Sequence, residues 1–113
     1  MALRLTKPFQ PLTVENARAL PGQLGIYELA DAQGRTVAFG FAGARSLFGL
    51  RGELQALAAA PPHGATQLRV EVNQQYHTRF RELLMVHQAD HGALPPINAE
   101  NPPVGLGRLS PPK

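Results

Sequence analysis

The sequence predicts an α+β domain in which a three-stranded, mainly antiparallel sheet is flanked by helices, in the order ββαβα. Three observations carry that expectation. Bulky and small or polar residues alternate over Thr36–Ala42 and again over Thr66–Val72, the period of a strand. Apolar residues recur at spacings of three and four within 46–60 and 73–90, the period of a helix. Pro21-Gly22, Pro61-Pro62 and Gly92 mark ends between these stretches.

Residues 1–22 read as a leader, with Thr13 as the N-cap of a short helix that Pro21-Gly22 stops. Residues 23–30 (QLGIYELA) form the first expected strand, and the turn Asp31-Ala32-Gln33-Gly34 joins it to Thr36–Ala42 as a hairpin. Ser46 is the expected N-cap of a helix reaching about Ala60, with Leu47, Leu50, Leu54 and Leu57 as its inward stripe. Gly49 and Gly52 each weaken that helix by roughly 1 kcal/mol relative to Ala, which points to a close approach by another group. In the third strand Leu68, Val70 and Val72 face inward. Asn73 is the expected cap of a second helix to about Asp90, buried through Tyr76, Phe80, Leu83, Leu84 and His87, with Gly92 at its C-cap. The globular domain is expected over 23–98, and 99–113 reads as an extended, proline-rich tail.

Composition narrows the function classes. The apolar share of 43% supports a packed core in a 113-residue chain. The absence of cysteine excludes a disulfide framework and a thiolate zinc site. No apolar run reaches the ~18 residues of a membrane span, and MALRLTKPFQ lacks a signal-peptide core, so a cytoplasmic location without membrane contact is expected. The net charge is +3, and Lys7 and Lys113 are the only lysines. That balance permits a nucleic-acid partner without the dense basic face of a dedicated binder.

Gly25-Ile26-Tyr27 lies in the first strand, Phe41-Ala42-Gly43 closes the second, and Arg51 lies eight positions after Gly43. Glu82 follows on a later helix, and Asn98 follows the loop Pro95-Pro96-Ile97. In order and spacing this series resembles the GIY-YIG nuclease superfamily. The resemblance implies a GIY-YIG-like ββαβα fold and metal-dependent hydrolysis of DNA phosphodiester bonds. Tyr27 would position or activate the attacking water, and Arg51 would hold phosphate oxygens and offset developing charge. Glu82 would bind Mg²⁺, needed only if the domain is catalytic. Asn98 would brace the site, and Arg45, Arg79 and Arg81 would join it as substrate-binding residues.

The chain departs from the family pattern in two places. Phe41 stands where the family has its second tyrosine, and Gln55 stands four residues after the arginine, where it often has His or Tyr. Losing one positioned proton carrier costs ~10²–10⁴ in rate. The alternative is therefore a catalytically inactive GIY-YIG-like domain that serves as a DNA-binding or protein-interaction module. His63 is a substitute base only if the PPHG loop folds over the site. His87 and His91 have a ligand-like i, i+4 spacing but no third partner nearby in sequence.

Overall fold

The computed structural model describes residues 4–44 and 46–100. The chain runs β1 (Gln10–Pro11), α1 (Val14–Arg18), β2 (Gly25–Ala30), β3 (Thr36–Ala42), α2 (Gly49–Ala59), a 3₁₀ turn (Pro62–Gly64), β4 (Gln67–Val72), α3 (Tyr76–His91) and α4 (Pro96–Glu100). It is an α+β fold with one antiparallel four-stranded sheet in the order β1-β4-β2-β3.

The fourth strand corrects the three-stranded expectation. β1 is two residues long and pairs Gln10 with Leu68 and Pro11 with Gln67. A strand that short, ending in proline, carries no alternation by which a sequence could reveal it. It blunts the β4 edge, leaving β3 as the long strand on the other edge.

From Ala38 onward side chains separate by parity, before which the hairpin register is irregular at Leu29–Ala30. β2 and β3 pair Gly25 with Ala42, Ile26 with Phe41, Tyr27 with Gly40 and Glu28 with Phe39. Tyr27, Leu29, Ala38, Ala42, Leu68 and Val70 face one layer, where they pack with Leu50 and Leu54 of α2 and with Ala17 of α1. Ile26 and Phe39 face the other, against Phe80, Leu83 and Leu84 of α3, with Leu5 of the leader inserted beside them. The sheet is thus covered on both faces, by α1 and α2 on one and α3 on the other.

Helix starts differ from expectation. α2 begins at Gly49, not Ser46, because the chain first makes a tight turn. Ser46 N–H donates to the Gly43 carbonyl (2.9 Å) and Gly43 N–H to Ser46 Oγ (3.2 Å). Gly49 then adopts φ +59°, and a Cβ there would meet Gln23 O at 2.6 Å, so the close approach is to the 22–23 loop. Leu47, expected in the inward stripe, is instead 90% exposed, and Phe48 is 67% exposed. Asn73 does not cap α3 directly: it closes a turn by accepting Gln75 N–H at 2.8 Å, and the helix starts at Tyr76. Gly92 occupies the expected left-handed C-cap.

α4 takes in Pro96-Ile97 of the expected loop, Asn98, and the first two residues of the stretch expected to be an extended tail. It crosses the β3 edge, and Asn98 grips that edge: Oδ1 accepts Phe39 N–H and Nδ2 donates to Phe39 O, each at 2.9 Å. The amide side chain thereby pairs as a neighbouring strand would. Residues 101–113 of the tail lie outside the described residues. Among the described residues, no helix is long and apolar enough to cross a membrane.

Asn98→Ala leaves a buried donor and acceptor of Phe39 without partners. The variant is expected to lose about 1–3 kcal/mol in urea unfolding, with faster amide exchange at Phe39. An unchanged midpoint and unchanged exchange would contradict the clamp.

Candidate functional site

The residues expected to share one site come from both sides of the sheet, Tyr27 and Arg51 from the side of α2 and Glu82 from α3. Tyr27 leaves β2 on the α2 face and crosses Gly40 of the edge strand, where an added Cβ would meet its phenol at 2.2 Å. The ring is largely buried, and burial together with the Glu53 charge pushes its hydroxyl up to about 12. At neutral pH the group is therefore a hydrogen-bond donor or acceptor and not a base.

Arg51, in the first turn of α2, is held against the end of the 20–22 segment. Its Nε donates to Leu20 O at 2.9 Å, and its guanidinium carbon sits 3.9 Å from where a Gly22 Cβ would be. Glu82 is on α3, across the sheet. It is ion-paired with Arg79, whose buried guanidinium also donates from Nε to Glu71 Oε2 at 2.9 Å. Burial alone would lower the Arg79 pKa, but the hydrogen bonds and charges of Glu71 and Glu82 outweigh it and raise it. Burial likewise pushes Glu71 up, but hydrogen bonds from Arg79 and Asn73 bring it down overall.

The other expected residues distribute as follows. Asn98 is buried at the β3 edge, Arg81 is half-buried on α3, and Arg45 lies outside the described residues. His63 has its Nε2 3.0 Å from Glu100 Oε2. His87 and His91 lie with ring centroids 4.3 Å apart and planes tilted by 38°, and burial with the His91 charge lowers His87. Among the described residues no three His, Cys, Asp or Glu side chains are grouped to hold a metal ion.

A different constellation gathers where β3 ends. Phe41 faces α3 and stacks on Tyr76 (centroids 5.3 Å, planes 30° apart), with His77 edge-on at 5.7 Å. Tyr76 lies over Gly43, and its hydroxyl accepts Ala44 N–H at 3.2 Å. From the opposite layer Glu53 reaches the same place, its Oε1 accepting Ser46 Oγ–H at 3.0 Å. Phe41, Gly43, Ala44, Ser46, Glu53, Tyr76 and His77 line an open groove of about 670 Å³. Leu47 and Phe48 stand at its mouth, lining with Ser46 and Glu53 an adjoining depression.

Glu53 and His77 were not legible as site residues. One signal existed for the first: between Asp31 and Glu71 the sequence has no other acid. Nothing marks His77, because its position depends on where α3 starts. A second, smaller cavity of about 140 Å³ lies under α3, around buried Glu28, whose carboxylate is taken up by Arg69 Nε (2.7 Å) and Thr36 Oγ1 (2.5 Å).

A phenol raised to about 12 keeps its proton in the fold while the unfolded chain, near 10, loses it. Stability should be level below pH 10 and fall as pH rises from about 10 to 12. Tyr27→Phe is expected to abolish this slope in alkaline unfolding curves. A slope unchanged in Tyr27→Phe would assign it to another group.

No curated protein and no solved structure matches the chain significantly. A family model does match, over residues 2–90, from the leader's first residues almost to the end of α3. The chain belongs to the family described as a domain of unknown function, DUF7508.

Proposed function

We propose that this chain is a GIY-YIG-like domain that works as a protein-interaction module and does not cleave phosphodiester bonds. One observation carries the reading. Leu47 and Phe48 are 90% and 67% exposed at the mouth of a groove whose described lining has a carboxylate, Glu53, and neither Lys nor Arg. Apolar side chains held out beside a half-polar groove are what a protein partner covers. A phosphate backbone would meet Glu53 with like charge.

The arrangement of the nuclease-motif residues supports the same reading. Tyr27 and Glu82 belong to opposite sheet faces, and Arg51 is turned toward Leu20. Mg²⁺ would enter only with catalysis, with Glu82 as its ligand. That carboxylate is already engaged by a buried guanidinium, so the residues present do not fit the ion. Four of the arginines are also ion-paired within the fold. Arg4 pairs with Asp90, Arg35 with Asp31, Arg69 with Glu28, and Arg79 with Glu71 and Glu82.

The test is a panel of labelled single-stranded, duplex, nicked and branched DNAs, incubated with Mg²⁺ or Mn²⁺, for the native chain, Arg51→Ala and Glu82→Ala. The expected result is no cleavage by any of the three. Metal-dependent cleavage that disappears in both variants would establish a nuclease. Binding without cleavage that weakens in Arg51→Ala and in rising salt would make the partner DNA.

A further inference from the structure

Among the described residues, the β3 edge between Phe39 and Gly43 has a gap one residue wide. In an antiparallel edge strand every second residue turns its N–H and C=O outward. Phe39 is such a residue, since both its groups bond Asn98, and by the period of two so are Phe41 and Gly43. At Gly43 both outward groups are used by the Ser46 turn: the N–H donates to Ser46 Oγ and the carbonyl accepts Ser46 N–H. Among the described residues nothing takes up the outward groups of Phe41, which lies between the Asn98 clamp and that turn and lines the groove.

The surroundings of the gap have two different chemistries. A residue pairing with Phe41 carries its side chain to the same face as Phe41, toward Tyr76 and His77. Its neighbours in the chain point to the other face, the side from which Glu53 enters the groove. An apolar residue suits the first position and a cation the second.

We propose that the groove receives an extended peptide segment of a partner protein, one apolar residue exchanging both backbone hydrogen bonds with Phe41 while an adjacent Lys or Arg reaches Glu53. This rests on the interaction-module reading and supplies its partner chemistry. It is strand addition confined to one residue by the two flanking devices. Leu47 and Phe48 extend the apolar contact beyond it.

The probe is the capped peptide acetyl-Gly-Arg-Leu-Arg-Gly-amide, titrated into the full ¹⁵N-labelled chain. Shifts are expected at Phe41–Ala44, Glu53, Tyr76 and His77. Glu53→Gln should weaken binding about two- to fivefold, and N-methylation of the peptide Leu about tenfold. The analogue with Glu in place of both Arg should not bind. Shifts elsewhere, no shifts, or equal binding by the N-methylated or acidic peptide would overturn the proposal while leaving the module reading intact. A synthetic peptide of residues 101–113 that moves the same resonances at lower concentration would assign the groove to the chain's own segment and overturn the partner. A single-stranded oligonucleotide that moves them, where the probe does not, would overturn the module reading itself.

Discussion

The pairing of Tyr27 with Gly40 is the constraint on which the rest of the arrangement depends. A strand side chain has only two directions, and this register sends Tyr27 to the α2 layer and Phe41 to the α3 layer. Gly40 makes it possible, because only a residue without Cβ lets the phenol lie across the edge strand. With Tyr27 folded down on one side and Phe41 stacked with Tyr76 on the other, both aromatics at the end of the hairpin become packing elements. Glu53 then comes within electrostatic range of the phenol from one layer while Tyr76 and His77 approach from the other.

An edge strand in such a sheet offers unpaired backbone groups, which folded proteins normally cover. This chain covers β3 in two places by unlike means. Asn98 supplies an amide that imitates a strand at Phe39, and Ser46 turns back on Gly43. Each uses a single side chain, and neither reaches Phe41. The same economy appears in the interior, where among the described residues every buried side-chain nitrogen and oxygen has a hydrogen-bond partner. A gap between these two covers, lined by aromatics and one carboxylate, is the feature around which a function can be argued.

The layered fold was readable because its strands alternate and its helices keep their period: Val70 with Leu68, and Phe80 with Leu83 and Leu84, fall inward as their spacing requires. What failed to read depended on contacts distant in sequence. β1 exists only by pairing with β4, the start of α2 is set by the 22–23 loop, and the exposure of Leu47 follows from that start. The candidate site was harder still. Motif spacing orders Tyr27, Arg51 and Glu82 along the chain but does not say which sheet face each helix covers, and α2 and α3 cover opposite ones. Asn98 was readable as a bracing residue in type, yet its partner, the Phe39 backbone, emerges only when α4 crosses the edge.

The register itself is the most direct thing to measure. In a non-hydrogen-bonded antiparallel pair the facing Cα atoms are about 4.5 Å apart, so their α-protons give strong nuclear Overhauser effects. The account predicts strong α-proton contacts for Ile26 with Phe41 and for Glu28 with Phe39, the two such pairs of the hairpin. A contact of Tyr27 with Phe41 in their place would shift the hairpin by one residue, bring both side chains to one face, and contradict the separation on which the account stands.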